Sequence, residues 1–154
     1  MTNEMYEKMY NEAPYVAELG EVNMFFQATL AKVLTKLPES VSKFALERCV
    51  FTSMPMGAAG VTREAILPER AMVDPHKFYL IIVDEVLSRL HEHRGRISRG
   101  ERARRSIQRL EHVFAHEIAH ACMKKDAYLA LPEDVEAEAD RLVAEWGFVA
   151  PKEL

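Results

Sequence analysis

The chain has 154 residues, of which 49% are hydrophobic and 29% are charged, and its formal charge is −4 at pH 7. This length predicts one domain with a substantial hydrophobic core, and the composition excludes wholesale disorder. So small a net charge indicates no particular class of partner.

Cysteines and hydropathy restrict where the protein is expected to reside. Cys49 and Cys122 lie far apart, and no signal-peptide pattern precedes them, so we predict no disulfide framework. The longest apolar stretch, FYLIIV at 78–83, is far shorter than a membrane span. We therefore expect a soluble cytoplasmic protein without a membrane partner.

The chain begins with a glutamate-rich segment, residues 1–20, which predicts an acidic N-terminal arm, and residues 21–154 are expected to form a single domain. After Gly20, apolar residues recur with the period of an amphipathic helix that ends at Pro38. The residues with this period are Phe26, Leu30, Val33, Leu34 and Leu37.

The middle of the chain predicts strands. Residues 39–54 leave two alternatives open, because ESVSKFALE favours a helix whereas RCVFTSM favours a strand. After a turn at 57–60, VTREAIL predicts a short strand. KFYLIIV at 77–83 predicts the clearest strand, and the helix-like DEVLSRLHEH follows it.

Two helices are predicted in the last third. Ser98 and Glu101 have the spacing of a capping box and open a helix that extends to Lys125. The second helix has Pro132 at its first position and Gly147 just past its end. We therefore predict an α+β fold, mostly helical, with a short β-sheet packed beside the first of these helices.

That first helix contains HEIAH, residues 116–120. By helical phase, His116 and His120 lie opposite the apolar face, and Glu117 lies at the edge of the histidine face. Two imidazoles one turn apart can bind one zinc ion, and the glutamate between them can act as general base. The alternative is a pair of interior histidines beside a surface glutamate. A third candidate ligand elsewhere in the chain would favour the zinc site over this alternative.

The second helix supplies candidates for that ligand. Glu136 and Asp140 lie four apart along the margin of its apolar face, whereas Glu138 groups with Arg141 and Glu145 on the predicted solvent face. We predict Glu136 as the third zinc ligand and Asp140 as the acceptor of a hydrogen bond from a ligand imidazole. The preference of a helix N-terminus for acidic residues explains Glu133 and Asp134, but it does not explain Glu136 and Asp140.

HEIAH followed after fifteen residues by EAEAD resembles the HExxH…ExxxD signature of gluzincin zinc metallopeptidases. The soluble ImmA/IrrE-type and phage-encoded minimal metallopeptidases are the most similar branches, and the resemblance covers residues 98–148. It implies a zincin-like domain in which His116, His120 and Glu136 bind one zinc ion. It also implies that Glu117 is the catalytic general base and that Asp140 supports a ligand.

These observations predict a zinc metalloendopeptidase with a protein or peptide substrate and a narrow substrate range. RCVFTSM or KFYLIIV could offer a sheet edge on which an extended substrate pairs, by analogy. Another hypothesis is a non-catalytic module that binds protein or nucleic acid and retains a zinc site. A di-iron carboxylate bundle is disfavoured, because it needs a second Glu-x-x-His half-site that the sequence lacks.

Several other residues could be mistaken for zinc ligands or for a binding surface. We expect His112 to line the mouth of the site, because three histidines along two helical turns cannot all reach one zinc ion. Cys122 is predicted to pack at the flank of the core.

The segment 89–109 contains eight arginines but no aromatic residues between them, which argues against nucleic-acid binding. The oxyanion donor stays open among the arginines of this segment, His91, His93 and Tyr128.

Overall fold

Within the described residues, a four-stranded sheet and four helices form the fold, which confirms the predicted mostly helical α+β class. The computed structural model describes residues 15–16, 24–55, 58–65, 78–84, 87, 99–125 and 132–149. In chain order the elements are β1 (Tyr15–Val16), α1 (Met24–Lys36), α2 (Glu39–Arg48), β2 (Cys49–Met54), β3 (Gly60–Ala65), β4 (Phe78–Asp84), α3 (Arg99–Lys125) and α4 (Pro132–Glu145).

Pro38 separates the first two helices, as its restricted backbone requires. Helix α1 ends just before it at Lys36, and α2 uses it as the N-terminal flanking residue. The ambiguous segment 39–54 contains both of the predicted elements, since α2 changes to strand β2 at Cys49. Residues 1–14 and 17–20 of the predicted arm, most of the helix-like segment DEVLSRLHEH, and Ser98 lie outside the described residues.

The sheet has the strand order β1-β2-β4-β3. Strand β2 is parallel to both of its neighbours, and β3 is antiparallel to β4, with Thr62 opposite Ile81. Strand β4 is therefore interior, and the expectation that KFYLIIV offers an edge is wrong. The two residues of β1 pair with β2 at Val50 and Phe51, so the same expectation for RCVFTSM stays a prediction. Within the described residues β3 is an edge strand, because it pairs only with β4.

Helix α3 packs against both α1 and the sheet through its apolar face. Leu110, Phe114 and Ile118 are completely buried on this face. The Phe114 ring meets Phe26 of α1 edge-on at a centroid distance of 5.0 Å and Phe51 of β2 at 6.0 Å. Such edge-to-face pairs add to the stabilisation that burial of the rings provides. Phe114 thus joins the first helix, the sheet and α3 in one core.

The ends of α3 and α4 agree with the predicted helices. Helix α3 extends over 27 residues to Lys125, and α4 begins at Pro132. Gly147 follows α4 with a φ of 87°, a conformation that glycine adopts without strain. In the part of the chain that the structure describes, no helix combines the length and the hydropathy needed to cross a bilayer.

Truncation of Phe114 tests the importance of this core. We expect Phe114→Ala to lower the free energy of unfolding by about 3–5 kcal/mol, because it removes both ring contacts and leaves a cavity. Urea denaturation followed by circular dichroism measures the change. Val149→Ala is the matched control, since Val149 is 65% exposed. An equal, small effect of both variants would contradict this account of the core.

Candidate metal centre

Helix α3 places two histidines on the side opposite its buried face. His116 and His120 are one turn apart, and their rings make an edge contact with centroids 4.7 Å apart. Their side chains are only 17% and 12% exposed. Burial of Phe114 and Ile118 on the far side fixes the rotation of the helix, so both imidazoles project toward α4.

Helix α4 brings a carboxylate to these two rings. Glu136 Oε2 lies 3.1 Å from His116 Nε2, and Glu136 Oε1 lies 3.0 Å from His120 Nε2. The two Nε2 atoms are 3.1 Å from each other. The structure therefore brings together the three residues predicted as ligands, and this group could hold a metal ion.

Asp140 lies one turn after Glu136 and reaches the other nitrogen of His116. Its Oδ1 atom is 3.1 Å from His116 Nδ1. This nitrogen is buried, and the angle of the contact falls short of a hydrogen bond. A carboxylate at Nδ1 is the arrangement that fixes the tautomer of a metal-binding histidine and leaves Nε2 to bind.

Glu117 is buried, with 5% of its surface exposed, and it does not belong to the ligand group. Thr62 of β3 donates a hydrogen bond to its Oε2 atom over 2.6 Å. Sequence reasoning missed this contact, because Thr62 has no feature that distinguishes it within the strand pattern VTREAIL. The pairing of β3 with β4 brings it to α3, 55 residues away in the sequence.

A cleft of about 410 Å³ opens beside these residues. It is lined by Ala58, Ala59, Gly60, His112, Val113, His116, Glu117, Glu136 and Asp140. His112 lies at the wall of the cleft, and its ring stacks on that of His116 with centroids 6.2 Å apart. It stays outside the ligand group, as predicted.

Burial lowers the pKa of the His112 imidazole below its usual value. The neighbouring His116 lowers this pKa further, and Asp140 opposes both effects. The His112 side chain is therefore mainly neutral at pH 7, and its ring nitrogens can donate or accept hydrogen bonds in the cleft.

The arginines that the structure describes at the start of α3 are engaged locally. Arg104 and Arg105 both pair with Glu101, at 2.6 and 3.0 Å. The hydrogen bonds from Arg104 and then Arg105 lower the pKa of Glu101 to about 2. The segment 89–98, which includes His91 and His93, lies outside the described residues, as does Tyr128. The oxyanion donor therefore stays open.

Cys122, two residues after His120, packs against the hydrophobic core as predicted. It does not belong to the ligand group. The candidate group therefore offers nitrogen and oxygen atoms, and no sulfur, to a metal ion.

Comparison of the chain with protein-family models, with curated proteins and with solved structures found no match. The resemblance to gluzincin metallopeptidases stays a prediction. Function must be inferred from the geometry of the side chains at this centre.

Removal of the Glu136 carboxylate tests whether the three residues bind a metal ion. We expect Glu136→Ala to weaken binding of a divalent cation by more than about 100-fold, because loss of outer partners alone weakens it by roughly 10–100-fold. Asp140→Asn should fall within that smaller range. Titration against a chromogenic chelator measures both affinities.

The matched control is Glu145→Ala on the same helix, where Glu145 pairs with Arg141 away from the cleft. This variant should bind the cation as the unmodified protein does. Equal affinities for all four proteins would refute the proposed ligand set.

Proposed function

We propose that this protein is a zinc-dependent metallopeptidase that hydrolyses peptide bonds, with Glu117 as general base. One observation carries the proposal: two imidazole nitrogens and a carboxylate converge within 3.1 Å of one another, beside a buried glutamate that is not part of the group. Three protein ligands with a carboxylate nearby are typical of catalytic zinc sites, whereas structural sites are usually closed by four ligands.

The donor set fits zinc in type and in size. Histidine nitrogen and glutamate oxygen are common ligands of catalytic zinc. Donor atoms of a tetrahedral zinc ion with bonds of roughly 2.0–2.1 Å lie about 3.3 Å apart. The observed separations of 3.0–3.1 Å, in which each imidazole lies next to a different oxygen of Glu136, are close to this value.

The chemistry follows from the positions of the side chains. His116, His120 and Glu136 would hold the zinc ion, which would supply the Lewis acidity that acidifies a water molecule and polarises a carbonyl group. Glu117 lines the cleft next to His116 and takes a proton from the attacking water. The same carboxylic acid then gives the proton to the leaving amine nitrogen. The Asp140 carboxylate lies 3.1 Å from His116 Nδ1, and its charge there favours the tautomer that leaves Nε2 to bind in the ligand group.

Strand β3 supports a peptide as the substrate. Gly60 at its start lines the cleft, and within the described residues the strand has an unpaired edge. An extended peptide can add to such an edge through main-chain hydrogen bonds, which leads its backbone toward the candidate centre. We infer a narrow choice of protein or peptide substrate from the small size of the cleft.

We also infer a cytoplasmic location. Cys49 and Cys122 are both thiols, which fits a reducing compartment. Burial raises the pKa of the Cys49 thiol, so this residue is protected from oxidation.

Glu117→Gln separates a peptidase from a binding module. We expect one zinc ion per chain to remain, because Glu117 is not a ligand, while peptide hydrolysis falls by about 10²–10⁴-fold with the loss of the general base. Elemental analysis measures the zinc, and a set of fluorescence-quenched peptides measures hydrolysis. Glu138→Gln is the control, since Glu138 pairs with Arg141 away from the cleft.

Chelation of zinc should abolish hydrolysis, and added zinc should restore it. A zinc-loaded protein that hydrolyses none of the peptides or protein substrates offered would contradict the proposal. It would instead favour the non-catalytic interaction module. Efficient cleavage of every peptide in a diverse set would contradict the narrow substrate range.

A further inference from the structure

Residues of strand β3, outside helix α3, contact the carboxylate of Glu117. It is buried under strand β3, and a buried carboxylate needs hydrogen-bond partners to offset the loss of water. Thr62 supplies one over 2.6 Å to Oε2. The other oxygen, Oε1, lies beside Gly60 of the same strand.

The Thr62 hydroxyl has two oxygen atoms of Glu117 within reach. Its Oγ1 atom lies 2.6 Å from Oε2 and 3.0 Å from the main-chain carbonyl oxygen. A hydroxyl has a single proton to donate, and a charged acceptor forms the shorter and stronger bond. The carboxylate is therefore the main acceptor. Thr62 is itself 5% exposed, so water does not compete for this proton.

Gly60 provides the space that the carboxylate occupies. It lies two residues before Thr62 in β3, so both residues face α3. A Cβ atom at Gly60 would lie 2.9 Å from Glu117 Cγ, 3.0 Å from its Oε1 and 2.9 Å from Val113 Cγ1. The two separations of 2.9 Å are shorter than carbon atoms tolerate, so any larger residue must displace both Glu117 and Val113 or shift the strand.

We propose that Thr62 and Gly60 of β3 are positioning residues that fix the Glu117 carboxylate in the cleft, with Thr62 holding Oε2 and Gly60 leaving room for Oε1. The role in hydrolysis rests on the proposed function, whereas the fixed position does not. A general base that is already oriented needs no rearrangement when the substrate arrives. In this account the two residues orient the base through their contacts with Glu117: Thr62 through its hydroxyl group and Gly60 through the absence of a side chain.

A double-mutant cycle tests the contact without any assay of hydrolysis. We expect Thr62→Val to lower the melting temperature of the full chain by roughly 3–8 °C, because the buried carboxylate loses its donor. In the Glu117→Ala background the same change should cost less than half as much. Thr35→Val is the matched control. Its hydroxyl donates to the Ala31 carbonyl on α1, so its cost should be equal in both backgrounds.

An equal cost of Thr62→Val in both backgrounds would show that the hydroxyl serves the main-chain carbonyl. The proposal would then be wrong. Thr62→Ser keeps the hydroxyl, and it should restore at least part of the lost melting temperature. Failure of Thr62→Ser to exceed Thr62→Val would also overturn the proposal.

Kinetics then test what the fixed position does. With quenched peptides, Thr62→Val should lower kcat by roughly 10–100-fold and leave KM within about twofold, because a displaced base slows only the chemical step. Gly60→Ala should lower kcat by a similar factor, but its KM is not diagnostic because Gly60 also lines the cleft. Zinc content should stay at one ion per chain, and Thr62→Ser should recover most of kcat. Unchanged kcat in Thr62→Val, together with clear coupling to Glu117, would refute the positioning role.

The two proposals fail in different ways. Zinc-loaded protein without hydrolytic activity overturns the proposed peptidase and with it the kinetic role of β3. The double-mutant cycle still decides whether Thr62 fixes the carboxylate, because it measures folding alone.

Discussion

Helix α3 must satisfy two requirements with one rotation about its axis. Its apolar face packs Phe114 against rings of α1 and β2, and its other face presents His116 and His120 to α4. Since successive residues differ by a fixed angle, burial of Phe114 determines where both imidazoles point. The core and the candidate metal centre are therefore two results of the same packing arrangement.

The second constraint is the approach of α4. Its own buried residues, Ala139 and Val143, hold it in the core, and this places Glu136 and Asp140 on the side of His116. The two carboxylates reach different nitrogens of that ring, Nε2 and Nδ1. Two consecutive turns of α4 thus place one carboxylate beside each nitrogen of the His116 ring. Glu136 lies next to Nε2, and Asp140 lies next to Nδ1.

Local periodicity accounts for what the sequence predicted well. The bounds of α3 and α4 and the meeting of His116, His120 and Glu136 follow from spacings of three and four residues, which a helix converts directly into neighbours. The strand order of the sheet is harder to predict from the sequence, because strand pairing joins segments that are distant along the chain. No short stretch of the sequence indicates the strand order that makes β3 an edge strand. The contact of Thr62 with Glu117 depends on that order, so the local sequence does not indicate it either.

One part of the cleft lining consists of Ala58, Ala59 and Gly60, whose side chains are no larger than a methyl group. Substitution of either alanine by glycine would remove only that methyl group, so the backbone itself nearly sets the width of the cleft there. A larger gain in volume would have to come from α3, where His112 and Val113 have larger side chains. Redesign toward bulkier ligands would therefore start from α3 and leave the strand untouched.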